Sequence, residues 1–242
     1  MTALWNRVAA VTGASSGIGR AIALALASQQ MEVCLIARRE KELNAVAEEV
    51  SRKGGKALVL RADLTSDEDI SGVGACIERR FGRLDVLALC SGVMVQGGFV
   101  GASVADFDSQ YQANVRAHYA LTQRMLPLLR AVMGQIVFIN SSVGLRSSGA
   151  AGQYSATKHA LRALADGLRE EVNADGIRVL SVYPGRTATP RMAALFEQEG
   201  RPYRPELLMQ PEDVAETVAH ALSLPRTAEV TDISMRPMWK SY

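Results

Sequence analysis

Val8-Ala9-Ala10-Val11-Thr12-Gly13-Ala14-Ser15-Ser16-Gly17-Ile18-Gly19 runs from a short apolar, β-branched segment into a glycine-rich turn, and an Ala- and Leu-rich stretch of helical character continues to Ala27. Strand, turn and helix in that order form the first unit of a parallel β-α architecture. Glycines at 13, 17 and 19 permit positive φ and close approach of a ligand to the backbone. The helix that begins there directs unpaired N–H groups and the positive end of its dipole at the same gap, which suits a pyrophosphate. The commonest dinucleotide turn has three glycines over six positions, and here they spread over seven. Taken alone, the turn is equally a tight strand-to-helix connection. Its place after the first strand, at the carboxyl edge of a sheet, favours a nucleotide.

Working outward, the same alternation recurs along the chain. Strand Val33–Ile36 stops at Ala37-Arg38-Arg39, and a charged helix over about 40–53 ends at Gly54-Gly55. Strand Ala57–Leu60 runs into Asp63-Leu64-Thr65, a helix follows to about Arg80, and strand Leu84–Leu89 closes at Cys90-Ser91-Gly92. Residues 93–103, with Gly97, Gly98 and Gly101, read as a loop. The stretch Val104–Met133 reads as two helical segments with a kink or restart at Pro127. Strand Ile136–Ile139, a Ser- and Gly-rich loop over 141–152, a helix carrying Tyr154 and Lys158, and strand Ile177–Val182 ending at Pro184-Gly185 come next. A last helix over 212–223 and a last strand from about Glu229 to Met235 complete the pattern. Continuous apolar strands between amphipathic helices predict a parallel sheet covered on both faces. From Thr187 to Pro211 no period is evident, so this segment is expected to be a mobile lid or substrate loop.

The 242 residues are 48% apolar, which suits one large α/β domain over 1–242 rather than two small ones. Basic residues exceed acidic ones by only two and form no run, so neither a nucleic-acid nor a membrane-surface partner is indicated, and a small-molecule partner is expected. Met1–Arg7 lacks a signal-peptide apolar region, and no apolar run approaches the roughly 18 residues of a spanning helix. Cys34, Cys76 and Cys90 are odd in number and lack metal-like spacing, which fits a reduced cytosol. His118, His159 and His220 are scattered, so no metal site is expected. Met192, Met209, Met235, Met238 and Trp239 read as core or pocket wall, and Met192 or Phe196 on the lid would indicate an apolar part in the substrate.

Two positions carry chemistry. A cofactor that lacks the ribose 2′-phosphate is held by an acid at the end of the second strand, whereas a 2′-phosphate needs cations. Arg38 and Arg39 stand there with no acid before Glu40, so NADP is expected rather than NAD. Cations at a helix start also oppose the dipole unless an anion is bound. In Tyr154-Ser155-Ala156-Thr157-Lys158, a helix would stack the phenol one turn from the ammonium. A phenol of pKa about 10 becomes a better proton donor beside a fixed cation.

The set Thr12–Gly19, Asn114, Ser141, Tyr154–Lys158 and Pro184-Gly185, in this order and spacing, resembles the classical short-chain dehydrogenase/reductase family over essentially the whole chain. That resemblance implies a single Rossmann-like, doubly wound parallel sheet of about seven strands flanked by helices. It also implies NADP-dependent interconversion of a carbonyl compound and its alcohol. Tyr154 would be the general acid in reduction and the base in oxidation. Lys158 would bind the nicotinamide ribose and lower the Tyr154 pKa, Ser141 would hold the substrate oxygen, and Asn114 would anchor a water relaying protons to Lys158. Ser142 is the neighbouring alternative, but a position thirteen before Tyr154 selects Ser141. Cofactor contacts carry over to Gly13, Ser15, Ser16, Gly17, Ile18, Gly19, Arg38, Arg39, Asp63, Leu64, Ser91, Gly92, Asn114, Tyr154, Lys158, Pro184, Gly185, Thr187 and Thr189.

One departure is that Leu89-Cys90-Ser91-Gly92 replaces the family's Asn-Asn-Ala-Gly, removing two amides that brace the cofactor pocket, with Ser91 or Cys90 as partial substitutes. Cys90 at the end of an apolar strand reads as buried packing rather than a nucleophile. A homotetramer or homodimer pairing the helices around 104–133 and 152–172 is implied, with small residues near Ala160, Ala163 and Gly167 facing out. The other function class is a non-catalytic dinucleotide-binding regulatory or scaffold protein, which would need neither the proton donor nor its relay.

Overall fold

A computed structural model describes residues 4–239. Met1–Ala3, which belong to the amino-terminal stretch read for a signal peptide, lie outside the described residues, as do Lys240–Tyr242. Strand β1 (Val8–Thr12) leads to helix α1 (Gly17–Ser28), β2 (Glu32–Ala37) to α2 (Glu40–Arg52), and β3 (Lys56–Arg61) to α3 (Asp67–Phe81). After β4 (Val86–Leu89) come α4 (Val104–Tyr111), a π-helical turn Gln112–Arg116 and α5 (Ala117–Arg130), then β5 (Gln135–Ile139) and α6 (Gly152–Val172). Strand β6 (Arg178–Pro184), α7 (Pro190–Gln198), α8 (Pro211–Ser223) and β7 (Asp232–Met235) complete the order.

The seven strands are all parallel in the order β3-β2-β1-β4-β5-β6-β7. This is the Rossmann-like, doubly wound sheet expected. Side chains alternate across it with period two. Ala9, Val11, Val33, Leu35, Val86 and Ala88 face α1, α2 and α8, where Ile22, Leu26, Leu43, Val46, Val214 and Val218 cover them. Ala10, Cys34, Ile36, Leu87 and Leu89 face the other way, under Val73, Ile77, Leu121, Met125 and Leu161 of α3, α5 and α6. Both faces are therefore dry, which explains the uninterrupted apolar strands. Each fully buried Leu or Ile in these layers contributes about 1.5–3 kcal/mol.

Helix ends follow the local chemistry. Ser66 accepts from Asp69 N at 3.2 Å to start α3, and Gly82 at φ 62° stops it in a left-handed cap. Pro211 opens α8 inside a reciprocal Gln210–Asp213 cap. One expectation needs revision. Pro127 sits inside an unbroken α5, and the interruption falls instead at the π turn Gln112–Arg116. The segment 187–211 contains α7, whose start is fixed by Pro190 and by Thr189 Oγ1 accepting from Met192 N at 3.2 Å. Its helical period was obscured because α7 spans only nine residues. Ala163 and Gly167 face outward on α6 as expected, while Ala160 is half-buried. No helix of the described residues is long and apolar enough to cross a membrane.

Candidate active site

The strand order reverses between β1 and β4, and a cleft of about 550 Å³ opens over the carboxyl ends of the strands at that point. At its floor the glycine turn fits a close ligand. Gly13 (φ 63°) and Gly17 (φ 54°) are left-handed, and a Cβ on Gly19 would lie 2.5 Å from Gly13 O. No side chain of the described residues caps α1, whose first turn has no acid, so its N–H groups remain for a ligand. The hydroxyls of Ser15 and Ser16 accept from Arg39 Nη2 at 3.1 and 3.0 Å.

Arg39 also pairs with Glu42 at 3.3 Å, and Glu40 shares the first turn of α2, so the dipole argument from sequence does not hold for Arg39. Arg38 carries the cationic character of this corner. Its side chain is 69% exposed at the end of β2, with Nη1 3.9 Å from Asp63 Oδ2. Hydrogen bonds from Thr65 N (3.0 Å) and Oγ1 (2.8 Å) hold the Asp63 carboxyl below the usual carboxylate range, with Arg38 a lesser cause.

Two elements, β5 and α6, bring Ser141, Tyr154 and Lys158 to the cleft. Ser141 follows β5, and its placement depends on Asn140. Asn140 Oδ1 accepts from Ser141 N at 2.9 Å, and Nδ2 donates to Lys158 O at 3.1 Å. Gly144 is required beneath it, since a Cβ there would meet Asn140 Oδ1 at 2.4 Å. Tyr154 and Lys158 project from α6 into the cleft, with the ammonium 5.7 Å from the Tyr154 ring centre. Lys158 Nζ donates to Ile139 O at 3.1 Å.

Burial raises the Tyr154 pKa, while the charge of Arg191 and the Ser141 hydroxyl act against it. Lys158 was expected to lower it, but burial, followed by Arg191, instead pulls Lys158 itself from 10.5 down to about 7.

Asn114 does not line the cleft. It is fully buried behind it on the π turn. Its Oδ1 accepts from Val93 N at 2.8 Å, and Nδ2 donates to Val93 O (2.9 Å) and Thr157 Oγ1 (3.1 Å), so its amide braces the wall. Each of the other residues expected to contact a cofactor lines the cleft. Leu64 is buried there; Pro184 ends β6; Gly185 N donates to Met235 O at 2.8 Å; Thr187 Oγ1 donates to Gly185 O at 3.1 Å.

The end of β4 is braced from β1. Thr12 Oγ1 accepts from the N–H groups of Cys90 (2.9 Å) and Ser91 (3.0 Å), tying β1 to the end of β4. Ser91 Oγ lies 3.1 Å from His118 Nε2, and burial, with Lys158 adding to it, drives the His118 pKa to about 3, so the ring is neutral. Cys90 is half-buried and lines the cleft, and desolvation pushes its thiol far up. Among the described residues no group of acids, cysteines and histidines is arranged to hold a metal.

Sequence reasoning missed the far wall. Arg191, in the first turn of α7, donates from Nη2 to Gly92 O across the cleft. Glu199 accepts from Gln96 Nε2 at 3.0 Å and from Arg201 Nη1 at 3.1 Å, with Arg186 at 3.6 Å. Met192 and Leu195 line the cleft, whereas Phe196 is buried against Tyr203, ring centres 5.7 Å apart, and is not a lining residue. No periodic or motif signal marked Arg191 or Glu199.

Comparison with known proteins agrees with this geometry. The short chain dehydrogenase pattern matches residues 7–200. An uncharacterized oxidoreductase of Staphylococcus aureus (strain USA300) is 32% identical over 239 residues, 98% of this chain and all of that one. Among solved structures, an alcohol dehydrogenase from the archaeon Thermococcus sibiricus complexed with 5-hydroxy-NADP superposes with TM-score 0.88 at 28% identity, covering 98% of each chain. A metagenomic short-chain oxidoreductase in complex with NADP gives 0.85 at 30% identity, over 99% of this chain and all of that one. L-sorbose reductase from Gluconobacter frateurii, complexed with NADPH and L-sorbose, gives 0.88 at 26% identity, covering 96% and 95%. With a seven-stranded parallel sheet, a glycine turn at its switch point and this match over most of its length, the chain belongs to the short-chain dehydrogenase family and is an oxidoreductase.

Proposed function

We propose that this oxidoreductase interconverts a carbonyl compound and its alcohol with NADP(H), using Tyr154 as the proton donor and acceptor. The observation that carries this reading is the convergence of Ser141, Tyr154 and Lys158 on one cleft whose opposite end presents Arg38 beside the glycine turn. A bound nicotinamide would supply or accept the hydride. The diphosphate fits the uncapped start of α1, and the exposed Arg38 guanidinium suits a ribose 2′-phosphate. Structural relatives crystallised with NADP or NADPH support the same choice.

In the reduction direction the carbonyl oxygen gains negative charge, and two hydroxyls answer it. Ser141 Oγ accepts from Val143 N at 3.4 Å, which leaves its proton to donate to the substrate oxygen. Tyr154 transfers its phenolic proton to that oxygen as the alcohol forms, and takes it back in oxidation. Lys158 spends one of three donors on Ile139 O, and the others are directed to ribose hydroxyls and to replenishing the Tyr154 proton. Asn114 acts indirectly, by fixing Val93 and Thr157 around them. The exposed Phe107, Tyr111 and Tyr119 on the π-interrupted helix, with Ala163 and Gly167 on α6, support a homo-oligomer through this face.

The test follows reduced-nicotinamide absorbance with NADPH and NADH across ketones, oxo esters and aldehydes. Tyr154→Phe is expected to lower kcat by about 10²–10⁴ while NADPH binding persists. NADPH binding without turnover on any substrate would favour a non-catalytic dinucleotide-binding protein.

A further inference from the structure

The reacting end of the cleft carries a cation that the proposed chemistry does not use. Arg191 has one hydrogen bond among the described residues, to the Gly92 carbonyl, and no carboxylate of those residues lies within 4 Å of it. A guanidinium has five N–H donors; beyond the Gly92 bond, those of this exposed side chain are open to water and to the cleft that it lines with Tyr154, Ser141 and Lys158. The position is not explained by helix stability. Arg191 stands in the first turn of α7 with no acid beside it, where the dipole disfavours a cation. Nor does the nearest acid on that wall neutralise it, because Glu199 is occupied by Gln96, Arg201 and Arg186. The charge is felt at the reacting groups, since Arg191 acts on both Tyr154 and Lys158.

A cofactor diphosphate is the other anion to consider. Its place is at the glycine turn, against which Thr189 lies, Cγ2 being 3.1 Å from a Cβ built on Gly17. Arg191, two residues on, instead reaches Gly92 and lines the cleft together with Tyr154. Resting on the carbonyl reductase reading above, we propose that Arg191 is a specificity-determining residue that binds a carboxylate on the substrate, which makes the substrate class an oxo acid and the corresponding hydroxy acid. The planar fork matches a carboxylate in two parallel hydrogen bonds, and Met192 and Leu195 on the same helix accommodate the hydrocarbon part.

The experiment uses the full chain with NADPH and matched substrates: α-, β- and γ-oxo pentanoates, each paired with its methyl ester. In the unmodified enzyme, at least one acid is expected to exceed its ester in kcat/KM by about tenfold or more. In Arg191→Gln the acid-over-ester ratio should fall about 10- to 100-fold, and Arg191→Lys should recover part of it. An ester preferred throughout, or a ratio unchanged in Arg191→Gln, overturns the proposal. An equal fall for acid and ester together with a raised KM for NADPH also overturns it, by assigning Arg191 to the cofactor. If no member of the panel turns over, the carbonyl reductase reading has failed on this panel. The acid-over-ester ratio is then read as binding to the enzyme–NADPH complex by titration calorimetry, where equal affinities overturn the proposal.

Discussion

Replacing Lys158 by Met tests the electrostatics of the site without any substrate. Lys158 is 3% exposed, and its amine has only the Ile139 carbonyl, at 3.1 Å, as hydrogen-bond partner among the described residues. Burial lowers its pKa from 10.5 to about 7, with Arg191 adding to the fall. Each unit corresponds to ~1.4 kcal/mol, so holding the charged form in the fold costs several kcal/mol. The sign follows from proton linkage. Between about pH 7 and 10.5 the unfolded chain holds the proton and the folded one does not, so stability rises with pH across that window. Below about pH 7 both states are protonated and the whole cost is present. Met has similar length and no charge, so Lys158→Met should be the more stable protein at about pH 6. Its advantage should shrink by about 2–3 kcal/mol by about pH 9. Urea denaturation of both proteins without cofactor, at steps across this range, measures the difference directly. A stability gap that does not change with pH would refute the reasoning, whatever its size, because packing differences do not titrate.

Two other substitutions probe the cofactor corner and the frame beneath it. Arg38→Ala should reduce the NADPH-over-NADH ratio of kcat/KM by about 10- to 100-fold, the value of charge-assisted hydrogen bonds to a phosphate; an unchanged ratio measured by initial rates would remove Arg38 from 2′-phosphate recognition. Thr12→Val keeps the side-chain shape but deletes the acceptor for Cys90 N and Ser91 N. About 2–4 kcal/mol of stability should be lost, read from urea midpoints, and a loss below about 0.5 kcal/mol would show that water replaces the hydroxyl.

The fold was legible because its determinants are local and repeated. A strand buried on both faces must be apolar throughout, and a tight turn into a helix needs glycine, so β1, the turn and α1 could be read from their own residues. Ser141, Tyr154 and Lys158 were singled out through the family resemblance, and the structure brings the three to one cleft. The remainder depends on distant partners. Arg191 meets Gly92 across 99 positions and Gln96 meets Glu199 across 103, and no periodicity reports such pairs. The Lys158 pKa similarly reflects the depth of the cleft, which follows from packing rather than from the Tyr154–Lys158 interval. The charge at Arg39 was misjudged for the same reason: the Glu42 contact that answers it was written in the sequence, but whether the side chains meet depends on where α2 begins.

The π turn at Gln112–Arg116 has an implication for how this chain tolerates change. A π turn holds one residue more than the regular helix on either side would need, and it widens the coil where Asn114 is buried. Deleting one residue there would let α4 run smoothly into α5, the locally preferred conformation. It would also turn α5 by about 100° relative to α4, moving Leu121 and Met125 off the sheet or Asn114 away from Val93. Helix regularity and the wall of the cleft therefore make opposite demands on the length of this segment. An irregular coil is the compromise that satisfies the wall, and length variants arising here would be removed for their effect on the site even where they improve the helix.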